Sequence, residues 1–152
     1  MGKIRIVVAN PHSSGDSSRL TMKNKAGVLL YRQKRGRTQV LLVHNGKNWG
    51  IPKGNINPNE SRSHAAAREL AEETGLDAPK DLQALGYIDK RKSERIFCFL
   101  GFFNGGNKPK PFNEIQEARF IDLDIAMKYI DRYQLPLLQI LLGLGLRKSK
   151  SA

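Results

Sequence analysis

Gly54-Asn55-Ile56-Asn57-Pro58-Asn59-Glu60-Ser61-Arg62-Ser63-His64-Ala65-Ala66-Ala67-Arg68-Glu69-Leu70-Ala71-Glu72-Glu73-Thr74-Gly75-Leu76 gathers four glutamates around Arg68 in one short loop and helix. Glu69, Glu72 and Glu73 stand at i, i+3 and i+4, which places them on one face of a helix. Like charges at that spacing repel by a few tenths of a kcal/mol per pair, so a plain surface helix gains nothing from them. A divalent cation reverses the sign of that cost, and the cluster reads first as a metal site. Arg68 precedes it and is placed to orient the carboxylates by bidentate hydrogen bonds, with Glu72 as its i+4 partner.

The local signals agree on where the helix lies. Asn57-Pro58-Asn59-Glu60 predicts a type II turn, with Pro at i+1 and Asn59 where positive φ is needed. Ser61 is the expected N-cap. The run Ala65-Ala66-Ala67 favours helix and permits close approach to a sheet. Gly75 is the expected left-handed stop.

Working outward, residues 26–31 and 40–44 predict strands joined by a turn at residues 35–38, and their nearly continuous apolar character predicts burial on both faces. Residues 48–54 predict an extended loop entering the quoted stretch. Residues 82–89 and 95–103 predict further strands joined by a basic turn at 90–94. Residues 104–113 predict a loop and 118–123 a short strand. A helix is expected from 124 to 129, capped by Asp122 or Asp124, and a final apolar helix from 133 to 144 with Pro136 in its first turn. Strands on either side of a long helix, with another helix at the end, imply helices on both faces of a mixed sheet. The expected organisation is a strand and flexible segment in residues 1–25, the first strand spanning 3–8, then a domain at 26–146 and a basic, frayed tail at 147–152.

A chain of 152 residues with 39% hydrophobic and 26% charged residues fits one globular domain with a substantial core. No apolar run approaches the roughly 18–20 residues that cross a bilayer. Residues 1–8 are not followed by a long apolar run and small-residue cleavage site, and the expected location is cytoplasmic. A single cysteine, Cys98, excludes an internal disulfide framework, and its apolar β-rich surroundings mark a buried structural thiol. The formal charge of +12, from 26 Lys plus Arg against 14 Asp plus Glu, suits a polyanionic partner such as a polyphosphate or an RNA end.

Gly54, Glu60, Arg68, Glu69, Leu70, Glu72, Glu73, Gly75 and Leu76 match G-x5-E-x7-R-E-U-x-E-E-x-G-U, with U aliphatic, at every defined position. The chain resembles the Nudix hydrolases on these residues, and the resemblance extends over about residues 26–142. Family members often carry Gly where Asn59 stands; Asn is the next best tenant of the left-handed conformation. The resemblance implies an α/β/α sandwich with a mixed β-sheet between helices. It also implies a Mg²⁺ cofactor, for which Mn²⁺ substitutes, and cleavage of a phosphoanhydride by metal-activated water. The positions of Glu69 and Glu73 are the family's principal metal ligands. Glu72 often assists, the Gly54 carbonyl contributes, and Glu60 is metal-linked or structural. The general base is Glu72, or a carboxylate in the loop before the last strand, where Glu114 and Glu117 are the acids present; the order Glu-x-Gln-x-x-Arg-aromatic resembles diadenosine tetraphosphate hydrolases and favours Glu114.

Trp49-Gly50-Ile51-Pro52-Lys53-Gly54 resembles the W-x-x-P-K-G entry of dinucleoside polyphosphate and diphosphoinositol polyphosphate hydrolases. Lys53 is placed to meet a distal phosphate. Lys90, Arg91, Lys92 and Arg95 are candidates to grip further phosphates or to form a solvated hairpin tip. Trp49 is expected in the core, His64 on the surface, and His12 and His44 carry no functional case. The proline marking ADP-ribose hydrolases and the tyrosine marking one dinucleoside polyphosphate class are absent, Arg91, Lys92 and Ser93 standing there. The expected substrate is a nucleoside or dinucleoside polyphosphate, acted on by a monomer or homodimer with no membrane contact. RNA 5′-triphosphates and diphosphoinositol polyphosphates are the alternatives. A catalytically silent nucleotide- or RNA-binding regulator is the non-enzyme alternative, and the intact glutamate set argues against it.

Overall fold

A computed structural model describes residues 6–7 and 22–151, with side chains for 22–144. Its elements are β1 (Ile6–Val7), β2 (Lys23–Lys34), β3 (Arg37–His44), β4 (Trp49–Gly50), β5 (Lys53–Asn55), α1 (Arg62–Thr74), β6 (Gln83–Lys90), β7 (Glu94–Phe102), β8 (Glu117–Asp122), α2 (Leu123–Tyr129), a 3-10 turn (Arg132–Gln134) and α3 (Leu135–Ser151). The strands form one mixed sheet in the order β1-β6-β7-β2-β3-β4, with β5 added to β2 and β8 to β3. β1 with β6 and β2 with β7 are parallel; the remaining pairs are antiparallel.

Period-two alternation divides the core. Val28 and Leu30 of β2 and Leu41 of β3 point to one face, where Ala65, Ala66 and Leu70 of α1 pack with Leu76, Phe99 and Phe103. Leu29 and Tyr31 of β2, with Val40 and Leu42 of β3, point to the other face. There they meet Leu123, Ala126, Ile130, Leu137, Leu138 and Leu141 from α2, α3 and their connection. Both faces are covered, as the unbroken apolar strands require, and the architecture is the expected α/β/α sandwich. The alanine run lets α1 lie close to the sheet, so Leu70 is the one long apolar side chain α1 itself buries, a burial that contributes on the order of 1.5–3 kcal/mol. Among the described residues no helix is long and apolar enough to cross a membrane.

Several bounds differ from the sequence expectation. β2 begins at Lys23, because parallel pairing continues through Lys23 opposite Glu94 and Lys25 opposite Ile96. Residues 48–54 contain two short strands rather than an uninterrupted loop: β4 closes on β3 and β5 on β2. Asp122 occupies the N-cap position of α2, but its carboxylate accepts from Arg37 and Gln39, while Asp124 Oδ1 accepts from the Ile125 amide. The final helix starts at Leu135 after the 3-10 turn and continues to Ser151, so the segment expected as a frayed tail extends the helix, with no proline beyond Pro136 to stop it. Of the strand expected at residues 3–8, Ile6–Val7 pairs with Gly86 and Tyr87; the rest, like most of the flexible segment and His12, lies outside the described residues.

Gln134 ties the two halves of the molecule together. It is 2% exposed, its Oε1 accepts from the Ile51 amide at 2.8 Å, and its Nε2 donates to the Tyr133 hydroxyl at 2.9 Å. Gln134→Leu keeps the volume and orphans the buried Ile51 N–H, a loss of about 1–3 kcal/mol. Urea denaturation of the variant is expected to show that loss at an unchanged m value; an unaltered midpoint would contradict it. Cys98 is buried as expected, and burial pushes its thiol up to about 12.

Candidate active site

The loop and helix of residues 54–76 form as the local signals require. Asn59 takes φ 64°, the Glu60 amide donates to the Asn57 carbonyl at 3.1 Å, and the Ser61 side chain accepts from the His64 amide at 3.2 Å. Gly75 ends α1 at φ 74°. Phe112 packs so closely over Gly75 that a Cβ there would lie 2.9 Å from its ring, so Gly75 provides both a left-handed turn and a bare surface.

α1 is stacked against β5, and this contact assembles the carboxylates. Glu69 and Glu73, one turn apart, face the strand at Gly54 and Lys53. The Lys53 amide donates to Glu73 Oε1 at 3.3 Å. Gly54 lies so near Glu69 that a Cβ on it would overlap the Glu69 carboxylate. Burial raises the Glu73 carboxyl, and the neighbouring Glu69 raises it further, against the opposing effects of the Lys53 amide and ammonium; the result is about 7. A partly buried carboxyl beside a second carboxylate has an electrostatic demand that a cation meets.

Arg68 organises the other acids. Its Nε and Nη2 clasp Glu60 at 2.7 and 2.9 Å, Nη1 donates to Glu69 Oε2 at 2.8 Å and to Glu72 Oε1 at 3.0 Å, and Nη2 also donates to the Asn55 carbonyl at 2.8 Å. Both Glu60 oxygens are engaged, Oε1 also by the Asn57 amide and Oε2 also by His64 Nδ1. These hydrogen bonds, the Arg68 one foremost, hold Glu60 down at about 2. Of the two roles expected for Glu60, metal-linked or structural, its contacts here are structural: Glu60 locks Arg68, and Arg68 sets Glu69 and Glu72. Among the described residues no three Asp, Glu, His or Cys groups enclose a metal position by themselves, and Arg68 is counter-ion to three of the four glutamates. The Glu69 and Glu73 carboxylates beside the Gly54 backbone remain as a hard-oxygen donor set of the kind a divalent cation completes with water and phosphate.

A cleft of about 180 Å³ opens beside this set, lined among others by Glu73, Lys53, Lys25, Lys90, Glu114 and Trp49. Glu114 reaches it because its loop is fastened down. The amides of Lys110 and Phe112 donate to the Thr74 and Glu73 carbonyls at 3.0 and 3.1 Å, and Asn113 Nδ2 donates to the Glu72 carbonyl at 3.0 Å. These carbonyls end α1 and lack intrahelical donors. On the far side the Gln116 amide donates to the His44 carbonyl at 2.8 Å. Glu114 has no hydrogen-bond or ionic partner among the described residues, whereas Glu117 is paired with Arg119 and does not line the cleft.

The basic candidates separate. Lys53 is lowered by burial and by the nearby Lys25 ammonium. Lys90 lines the cleft, and Arg91 and Lys92 stand beyond it. Arg95 is not brought to the site: it pairs with Asp89 at 2.9 and 3.1 Å and its guanidinium lies 4.0 Å over the Tyr87 ring. Trp49 is half-buried against the core, edge-on to His44 at 5.0 Å between centroids, and also lines the cleft. His64 is on the surface, as expected, with its ring Nδ1 2.8 Å from Glu60 Oε2. Sequence reasoning missed Lys25 and Glu94, an ion pair at 3.0 Å beside Lys53. Burial opposes the Glu94 charge, yet Lys25, with Lys53 and Lys90, keeps its pKa below the usual value.

The NUDIX domain family matches residues 22–138. The chain is 29% identical over 115 residues to the Caenorhabditis elegans bis(5′-nucleosyl)-tetraphosphatase (asymmetrical), covering 70% of this chain and 83% of that protein. It is 42% identical over 82 residues to the Caenorhabditis elegans m7GpppN-mRNA hydrolase, covering 49% of this chain but spanning only 9% of that much longer protein. The crystal structure of a C. elegans Ap4A hydrolase binary complex superposes with a TM-score of 0.70 at 22% identity, over 81% of this chain and 97% of that one, which is a likeness of fold. Hydrolases of this family use divalent metal ions. With the domain spanning most of its length and the carboxylate–arginine set intact, the chain belongs to the NUDIX family.

Proposed function

We propose that the protein is a Mg²⁺-dependent hydrolase of a phosphoanhydride bond in a nucleoside 5′-polyphosphate, dinucleoside polyphosphates included. The observation that carries this reading is the cleft in which the carboxylates of Glu73 and Glu114 and the ammonium groups of Lys53, Lys25 and Lys90 meet. Glu69, Glu73 and the Gly54 carbonyl would hold the cation, with Glu72 assisting. When bound, Mg²⁺ supplies charge neutralisation at the phosphates and acidifies water.

The chain's own groups supply the rest. Arg68 keeps Glu69 and Glu72 in a fixed orientation, so little reorganisation is left for the reaction. Lys53 and Lys90 take the non-bridging oxygens of the phosphate chain and hold the anhydride in the cleft. Glu114 accepts the proton of the attacking water; the water oxygen bonds to phosphorus, the anhydride P–O bond breaks, and the departing phosphate carries its oxygen away. The arrangement of Glu114 and Glu117 supports that choice of base. Glu114→Gln is expected to lower kcat about 10²-fold, within the usual range for general-base catalysis, and Glu117→Gln less than about 3-fold. Steady-state kinetics showing the reverse order would move the role to Glu117.

The reading itself is tested by turnover. A panel of nucleoside triphosphates, dinucleoside polyphosphates and nucleotide sugars, incubated with Mg²⁺ or with EDTA, should give product from at least one polyphosphate and only with metal. Absence of product from every member would support the non-catalytic alternative.

A further inference from the structure

With no side-chain partner among the described residues, the Glu114 carboxylate is aimed into the cleft by its backbone alone. That backbone is a turn over residues 112–115, closed by the Ile115 amide on the Phe112 carbonyl at 3.1 Å, with Asn113 and Glu114 at its two central positions. Asn113 stands at φ 59°, and positive φ at the first central position marks a primed turn. Asn, Asp and Gly adopt that conformation most readily.

The turn is seated on the end of α1 in a defined register. Gly75 supplies the last amide of the helix ladder, donating to the Ala71 carbonyl at 2.9 Å, and the Leu76 amide turns to the Thr74 hydroxyl at 3.3 Å. The carbonyls of Glu72, Glu73 and Thr74 are thus left to other donors. They accept, in that order, from Asn113 Nδ2 at 3.0 Å, the Phe112 amide at 3.1 Å and the Lys110 amide at 3.0 Å. The segment therefore runs antiparallel along three consecutive carbonyls, passing over Pro111, which has no amide to offer. Two of those carbonyls belong to Glu72 and Glu73 themselves. Of the three bonds only the Asn113 one depends on the identity of a side chain. Asn joins a tolerated left-handed backbone to an amide donor, whereas Gly and Ala carry no donor and Asp would present an acceptor to an acceptor.

We infer that Asn113 is a positioning residue, which registers Glu114 to the helix that carries Glu69, Glu72 and Glu73. The inference rests on the assignment of Glu114 as general base above. In that reading the attacking water is oriented from α1 and its proton leaves toward the turn. The two groups belong to segments 41 residues apart, and the Asn113 bond fixes their separation. A reacting group displaced by about an ångström loses up to about 10²-fold in rate. One solvent-exposed hydrogen bond adds little to stability. Asn113 is therefore visible in kcat and nearly invisible in a thermal melt.

The test is a double-mutant cycle between Asn113 and Glu114, with Mg²⁺ and either diadenosine tetraphosphate or ATP. Asn113→Asp should lower kcat about 10-fold with KM within about 2-fold, and Asn113→Gly, which keeps the backbone conformation without the donor, about 5-fold. In the Glu114→Gln background either change should cost less than about 2-fold, because residues acting as one unit are not additive. Two measurements need no substrate. Amide hydrogen exchange over residues 110–116 should accelerate in Asn113→Asp while that of α1 stays as in the parent, and Mn²⁺ affinity should equal the parent's. Parental kcat in Asn113→Gly, losses that multiply in the double variants, or unchanged exchange overturns the role. Weakened Mn²⁺ binding also overturns it, by moving the effect of Asn113 to the acidic set. Parental kcat in Glu114→Gln removes the base reading instead, and no turnover of either polyphosphate by the unmutated protein removes the hydrolase reading; each takes the catalytic role of Asn113 with it.

Discussion

Glu73→Gln is expected to lower kcat by about 10³-fold or more, the equivalent of about 4 kcal/mol of transition-state stabilisation, while the protein stays folded. The amide is the same size, and its oxygen still accepts from the Lys53 amide that now donates to Glu73 Oε1. What disappears is the negative charge that burial and Glu69 already make costly to hold. Replacing it relieves that repulsion, so the melting temperature should be unchanged or higher. A variant that is as stable as the parent and nearly inert separates a catalytic carboxylate from a structural one. Steady-state kinetics beside a thermal melt gives both numbers, and near-normal kcat would remove Glu73 from the site.

Gly54→Ala should act nearly as strongly by a different route. The added methyl group falls where the Glu69 carboxylate lies. That carboxylate is the end of a flexible side chain, so the backbone need not move: Glu69 swings away, and the fold survives. Its hydrogen bond from Arg68 at 2.8 Å breaks in the same motion. Turnover is expected to fall on the order of 10²-fold, the cost of displacing one ligand by about an ångström, with less than about 1 kcal/mol lost in stability as for other tolerated surface changes. Full activity in this variant would show that the close approach of Gly54 to Glu69 has no catalytic consequence.

The chemistry of residues 54–76 was legible in the sequence because it is local. The Asn59 turn, the Ser61 cap, the Gly75 stop and the Arg68–Glu72 pair all act within one loop and helix, and each forms as spacing dictates. The sandwich was legible for a related reason: apolar residues on both parities of β2 and β3 need cover on two sides. Contacts made across the chain were not legible. Lys25 meets Glu94 only because β2 lies parallel to β7, and Gln134 caps the Ile51 amide from 83 positions away. Glu60 was ambiguous for the same reason, since its role depends on where the Arg68 guanidinium turns after folding. The pairing of Arg95 with Asp89 was not legible within a run of basic residues, because charge along a hairpin does not say which side chain finds an acid across the ladder. Glu114 itself was marked by the Glu-x-Gln-x-x-Arg-aromatic order, but the fastening of its loop to the last carbonyls of α1 was not legible, because it comes from backbone amides, which every residue but proline possesses.

The central claim is that the glutamates beside Gly54 are a divalent-cation site and not a self-contained ion-pair network around Arg68. Direct titration with Mn²⁺, followed by the loss of its free-ion electron paramagnetic resonance signal, tests that without reference to any substrate. The unmutated protein should bind saturably, with Mg²⁺ competing, and Glu73→Gln should weaken binding at least 10-fold. Equal Mn²⁺ affinity in the two proteins, or no saturable binding in either, would contradict it.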